Sequence, residues 1–130
     1  MELKVPSEVK IEGYIPTAED LTFTEYQADG LFRDGKLSWI LEHYTSLLSF
    51  SNIYKADSCF YSLKSNADLT NLTFYMGTDS YYSHYIKNMF ARSNLPHLPH
   101  IVGRISDCSY IFNNCEIKLI PDNFFDDFIF

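Results

Sequence analysis

Cysteine, arginine and ordered glycine are all scarce in this chain. Three cysteines, Cys59, Cys108 and Cys115, are too few and of the wrong parity for a disulfide framework, so they read as reduced, buried thiols. The five glycines stand at 13, 30, 35, 77 and 103. They form neither a phosphate-cradling loop nor a dinucleotide fingerprint, which argues against a nucleotide-hydrolysing or Rossmann enzyme. Arginine occurs only at 33, 92 and 104, too sparsely for a surface that grips a phosphate backbone. No run approaches the roughly 18 consecutive apolar residues of a membrane-spanning helix. The opening Met1–Glu8 is charged and has no apolar core of a signal peptide, giving the expectation of an intracellular protein, cytoplasmic or nuclear.

What the chain has in plenty is aromatic side chains and acid. Eleven Phe and ten Tyr fall among 130 residues, and 17 acidic against 10 basic residues leave a formal charge of −7. Aromatic rings bring large contact area, and Tyr joins an apolar body to a polar tip suited to interfaces. An acidic surface repels phosphate and favours basic partners. The length fits one domain, residues 1–130, with a hydrophobic core of its own. No internal repeat, low-complexity tract or linker is read along it.

Two amphipathic helices are expected, at about 35–50 and 79–92. In the first, Leu37, Ile40, Leu41, Tyr44, Leu47 and Leu48 follow a 3.6-residue period, with Asp34 placed to cap it and Trp39 and His43 at the stripe's edge. In the second, Tyr82, Tyr85, Ile86, Met89 and Phe90 repeat the pattern, leaving Tyr81, His84 and Lys87 or Asn88 to face outward. Strands are expected at 9–15, 21–26, 58–63, 69–76 and 100–106, then from Cys108 to Ile120. Asn113-Asn114 has two readings. It can be a two-residue turn of a hairpin that sets Phe112 against Cys115, Tyr110 against Ile117 and Cys108 against Leu119, with Ser109, Glu116 and Lys118 on the other face. It can also lie inside one continuous strand, with the turn falling earlier, near Asp107-Cys108-Ser109.

The segment His100-Ile-Val-Gly-Arg-Ile-Ser-Asp-Cys-Ser-Tyr-Ile-Phe-Asn-Asn-Cys-Glu-Ile resembles the closing strands of some OB-fold domains, through Val102-Gly103-Arg104-Ile105 and Cys115-Glu116-Ile117. The resemblance covers about residues 100–120. It implies a small barrel whose open face binds oligonucleotides, oligosaccharides or proteins. The expected class is therefore α+β: a curved antiparallel sheet or small OB-like barrel with two amphipathic helices against it.

No motif points to catalysis. His97, His100, Cys108 and Cys115 mix zinc-type donors, but the seven-residue gap between the cysteines is not that of structural sites, and Leu-Pro-His-Leu-Pro-His reads as extended linker. No nucleophile lies in a recognisable elbow. The carboxylate pairs Glu19-Asp20 and Asp126-Asp127 read as solvated charge. Neither a metal nor a cofactor is expected. The chain reads as a non-enzymatic, acidic protein-binding module: an inhibitor, an immunity or anti-defence factor, or a small subunit of a larger complex. Its partner would be a protein with a basic surface, and no membrane is involved. The acidic rim is placed at Glu19, Asp20, Glu25, Asp29 and Asp34, with Trp39 as an anchor. The terminal Asp126, Asp127, Phe128 and Phe130 complete the set, either docked on the core (the preferred reading) or free as an acidic aromatic tail, similar to the tails of bacterial single-stranded-DNA-binding proteins. The alternative is an OB-like binder of single-stranded nucleic acid or nucleotide, stacking bases on Phe60, Tyr61, Phe74 and Tyr75.

Overall fold

Three short stretches of the sequence, Leu21-Thr-Phe, Leu48-Ser-Phe and Leu72-Thr-Phe, alternate a buried apolar residue with a hydroxyl. That is the period-two pattern of a strand with one buried face. In the computed structural model, which describes residues 5, 7–117 and 120–130, each opens a strand, and the strands stack side by side. They are β1 (Thr22–Glu25), β2 (Ser49–Ile53), β3 (Thr73–Met76), β4 (His100–Arg104) and β5 (Phe128–Ile129). The sheet runs in chain order, β1-β2-β3-β4-β5, and every pairing is parallel. Phe23 pairs with Phe50, Phe50 with Phe74, and Phe74 with Ile101. Parallel neighbours in sequence order require the chain to make one full circuit between strands. The fold is thus a solenoid whose coils each take about 20 to 30 residues.

The far side of each circuit explains what looked like helix. Ala28, Leu31 and Phe32 are buried in the first coil, Ala56, Cys59, Phe60 and Leu63 in the second, Ile86, Met89, Phe90 and Ser93 in the third. That spacing is a helical one, yet the backbone is a run of tight turns. In the second coil the N–H groups of Cys59, Tyr61 and Leu63 donate to the carbonyls of Ala56, Ser58 and Phe60 at 3.0–3.3 Å. The intervening N–H groups of Ser58, Phe60 and Ser62 donate instead to Lys87, Met89 and Ala91 of the next coil, at 2.8–2.9 Å. The same alternation links Gly30, Phe32 and Asp34 to Asp57, Cys59 and Tyr61, and Asn88, Phe90 and Arg92 to Ser109, Ile111 and Asn113. The scheme depends on left-handed residues at two fixed places per coil: Gly30 and Asp34, Ser58 and Ser62, Asn88 and Arg92, Tyr110 and Asn114, all with φ between 50° and 62°. Gly, Asn and Asp are suited to that region, whereas Ser58, Ser62, Arg92 and Tyr110 are strained in it.

Stacked coils bring equivalent rings together. Phe32, Phe60, Phe90 and Phe112 form one ladder, with centroids 5.5, 5.5 and 5.6 Å apart and planes within 13° of parallel. Phe23, Phe50 and Phe74 form a second, at 5.5 and 4.1 Å. These separations follow the spacing of neighbouring strands, about 4.8 Å. Together with Leu21, Leu63, Leu69, Ile86 and Met89 the ladders make one core.

The expected architecture is thereby corrected. The sheet is neither antiparallel nor an OB-like barrel, and the chain does contain a repeat. Of the helix expected at 35–50, only α1 (Ser38–His43) forms, entered through Leu37 in a left-handed conformation (φ 54°) and followed by a 3₁₀ turn at Thr45–Leu47. Asp34 does not cap it. Asp34 is a left-handed residue inside a separate 3₁₀ turn at Arg33–Gly35. The helix at 79–92 is replaced by an exposed loop and turns, with His84 buried and Tyr82 exposed, the reverse of the helical reading. Residues 9–15 and 58–63 are not strands. No hairpin is centred on Asn113-Asn114: Cys115 N–H donates to Phe112 C=O within a turn, at 3.4 Å. Leu119 and Lys118, which that hairpin needed, lie outside the described residues.

Candidate interaction surface

Corners of a solenoid, like its strands, place equivalent side chains in rows. Just past the strand ends, Tyr26, Tyr54 and Tyr82 of three successive coils form a row. Tyr26 meets Tyr54 edge-on at 5.5 Å, and Tyr54 stacks on Tyr82 at 4.6 Å with planes 13° apart. Unlike the Phe ladders this row faces solvent, with Tyr26 and Tyr82 about half exposed.

The third coil departs from the others at this corner. Ile53-Tyr-Lys-Ala56 crosses it in the second coil, whereas Met76-Gly-Thr-Asp-Ser-Tyr-Tyr-Ser-His-Tyr-Ile86 crosses it in the third. The extra residues form a loop, Thr78 to Ser83, every one of which is exposed, with Tyr81 at 92%. Both feet of the loop are tied. Arg104 Nε donates to Thr78 C=O at 3.3 Å, and His84 N–H donates to Ser106 Oγ at 2.9 Å while Ser106 N–H returns to His84 C=O at 2.8 Å. Asp79 accepts from Tyr81 N–H at 2.7 Å and shapes the tip.

Beneath the ridge lies His84, wholly buried, edge-on to Tyr54 at 5.6 Å, with neither ring nitrogen hydrogen-bonded. Burial first, and the nearby Arg104 charge second, hold its pKa below the usual histidine value, partly offset by Asp79. It is therefore neutral at pH 7. Gly77 makes room for it: a Cβ there would fall 2.8 Å from His84 Nε2 and 3.1 Å from Asn52 Oδ1.

Carboxylates stand beside the ridge, together with the cation Lys55. Glu25 ends β1 and is exposed, its carbonyl accepting from Tyr54 and Lys55 N–H. Asp29 shares Lys55 with Asp57, at 3.9 and 4.0 Å. Asp57 is half-buried and its carboxyl is pushed upward chiefly by burial. Glu25 and Asp29, two of the expected rim residues, thus come together with the tyrosines.

The remaining expected residues are placed elsewhere. Asp20 accepts from Tyr14 Oη and Thr17 N–H, both at 3.0 Å, within the N-terminal segment that also carries exposed Glu19. Exposed Asp34 pairs with Arg33 at 3.5 Å. Trp39 is not an exposed anchor: it is buried at 7%, held edge-on by Tyr14 and Tyr44. The C-terminal segment is docked, with β5 paired to β4 and Phe124 and Phe128 buried. Phe128 therefore belongs to the core, while Asp126, Asp127 and Phe130 stay exposed. Of the rings proposed to stack bases, Phe60 and Phe74 are wholly buried, and Tyr61 lies under the Arg33 guanidinium at 4.6 Å. Only Tyr75 stands open, at 55% exposure.

Among the described residues, no cluster of three or more His, Cys, Asp or Glu side chains is arranged to hold a metal ion, and no helix is long and apolar enough to cross a membrane. His97, His100, Cys108 and Cys115 form no such cluster. Cys59 is fully buried, which raises its thiol pKa far above the range of a reactive thiolate. No protein-family model, curated protein or solved structure matches the chain.

The tyrosine ridge and its loop carried a signal in the sequence. Thr-Asp-Ser-Tyr-Tyr-Ser lengthens one repeat relative to its neighbours, which is visible once Leu48-Ser-Phe and Leu72-Thr-Phe are aligned. In repeat architectures such insertions collect on one face, often the binding face.

Proposed function

We propose that the chain is a non-enzymatic protein-binding module that engages a partner with a basic surface through the ridge of Tyr26, Tyr54 and Tyr82 and the Thr78–Ser83 loop. One observation carries the reading. A row of solvent-facing tyrosines, extended by a loop found in one coil alone, stands beside Glu25, Asp29 and Asp79. Tyrosine supplies broad contact at little conformational cost, and the carboxylates steer and orient a cationic partner. The net charge of −7 works in the same direction. Solenoids are suited to the task because stacking builds long, rigid surfaces from short repeats. An inhibitor or a small subunit of a larger assembly would both use such a surface.

The test is affinity capture with tagged wild-type protein, a Tyr81→Ala/Tyr82→Ala variant and a Glu25→Lys/Asp29→Lys variant, all matched by circular dichroism. One basic protein retained stoichiometrically by the wild type, and lost from both variants, is the expected result. Its binding should weaken as salt rises. Equal retention by both folded variants would remove the ridge from the interface.

A further inference from the structure

We infer that a second site, independent of the tyrosine ridge, lies on the outer face of the sheet at β2 and β3 and takes a neutral saccharide. The first two outward positions of β1 to β4 hold Thr22 and Thr24, Ser49 and Ser51, Thr73 and Tyr75, His100 and Val102, which flank the buried Phe23, Phe50, Phe74 and Ile101, while Arg104 at the far end of β4 is bonded to Thr78 C=O. None of the eight is acidic in a chain that carries 17 acidic residues. This face is set apart by hydroxyls rather than charge.

A hollow of about 180 Å³ opens on it, walled by Tyr75 and lined by the polar side chains of Ser49, Asn71 and Thr73. A second hollow of about 360 Å³ adjoins it, sharing Leu48 and Asn71 and adding Thr45, Ser46 and Asp68. Asp68 already accepts from the Thr70 hydroxyl at 2.6 Å and its N–H at 2.9 Å, which hold its carboxyl below the usual range and fix it as an acceptor.

The chemistry of the lining selects the ligand. Hydroxyls and a carboxamide both donate and accept, as a polyhydroxylated ring requires. A half-exposed aromatic ring offers a flat apolar platform for the C–H face of a sugar. Leu48, Phe50 and Leu72 complete the first hollow, so its few polar groups converge on a partly apolar wall, as small-molecule sites require. Neither hollow is lined by Lys or Arg, so a phosphate-bearing ligand would meet Asp68 without a counter-charge. The two adjoining hollows suit a ligand of more than one ring.

The test is ¹H–¹⁵N chemical-shift titration of the full chain with maltose, cellobiose, lactose and N,N′-diacetylchitobiose, beside a short oligothymidylate. At least one disaccharide should shift Ser49, Asn71 and Thr73 at millimolar concentration. Tyr75→Ala should weaken that binding by about tenfold or more, while Tyr75→Phe retains it. Asn71→Ala, at an exposed position, gives a second loss that does not depend on Tyr75. Absence of any disaccharide response, an identical response in Tyr75→Ala, or tighter binding of the oligothymidylate at these residues would each overturn the inference.

Discussion

The rings of Phe60 and Phe90 lie 5.5 Å apart with their planes 2° from parallel, although they belong to different coils. The contact follows from the ladder beneath it, in which Phe60 N–H donates to Met89 C=O at 2.8 Å and Phe90 N–H to Ile111 C=O at 3.0 Å. Because both rings are wholly buried, truncating either leaves a cavity that the rigid neighbouring coils cannot close. Phe60→Ala and Phe90→Ala should each cost about 3–5 kcal/mol of unfolding free energy in a denaturant titration. Exposed Phe130 is the control, and Phe130→Ala should change the midpoint little. A loss below about 1 kcal/mol for Phe60→Ala would contradict the ladder as a source of stability.

The left-handed positions give a separate test. Arg92 adopts φ 57° although it has no local reason to favour that region. Glycine pays no steric penalty there, so Arg92→Gly should stabilise the fold by up to about 1 kcal/mol, against the usual trend of glycine substitution. Ser62→Val places a β-branched residue in the same conformation and should destabilise by a similar or larger amount. Gly103 is stricter. Its φ is 121°, and a Cβ would lie 2.6 Å from Met76 C=O, so Gly103→Ala must push β4 away from β3. Thermal unfolding of the three variants reads all the signs at once.

Much of this was open to view in the sequence. Ala28-Asp-Gly-Leu-Phe32 and Ala56-Asp-Ser-Cys-Phe60 are near copies, as are Leu21-Thr-Phe23, Leu48-Ser-Phe50 and Leu72-Thr-Phe74. They escape a search at fixed period because α1 lengthens one circuit and the Thr78–Ser83 loop another. Apolar residues at i, i+3 and i+4 point to a helix because they share one face at 3.6 residues per turn. Consecutive tight turns reset by a left-handed residue bury the same positions. What separates the two is the residue type at the left-handed sites: Gly30, Asp34, Ser58, Ser62, Asn88 and Asn114 are weak helix formers at a regular spacing. The strand segments were plainer, and β1, β3 and β4 fall within the stretches 21–26, 69–76 and 100–106. Their parallel pairing was not legible, since alternation fixes the face of a strand and not its partner. Trp39 was misplaced because its large ring reads equally well as interface or core.

His84 sets the pH dependence. Its pKa is held below the usual 6.5 by burial, then by Arg104. A depressed histidine contributes stability that is complete above the unfolded value and lost on acidification, because the unfolded chain takes up a proton that the folded one resists. The unfolding midpoint should therefore fall as pH drops from 7 toward 5. Asp68 and Asp107, whose carboxyls are held low by Thr70 and by Ser109, act in the same direction but only below the ordinary carboxylate value of 3.8. Asp57, whose carboxyl is raised chiefly by burial, acts in the opposite direction, gaining stability as pH falls toward its raised value, and His84→Leu leaves that contribution in place. In His84→Leu the slope between pH 6.5 and 5 should flatten, while the loss near pH 3.8 remains. An unchanged slope would mean that the histidine is not the titrating group.

The loop and the scaffold should respond independently. Thr78 to Ser83 contribute no buried side chain, and both feet are anchored through the backbone, Thr78 C=O accepting from Arg104 and His84 N–H donating to Ser106 Oγ. Excising Asp79, Ser80 and Tyr81 removes the most exposed ring while leaving Tyr82 stacked on Tyr54. Closing a shorter loop costs slightly less entropy, and each halving of length is worth only about 0.6 kcal/mol. The melting midpoint should accordingly stay within a few degrees of the wild type, and capture of the basic partner should fail. A shortened protein that melts far lower would make the loop part of the fold. One that melts normally and still binds would confine the interface to Tyr26, Tyr54, Tyr82 and the acids that remain beside them.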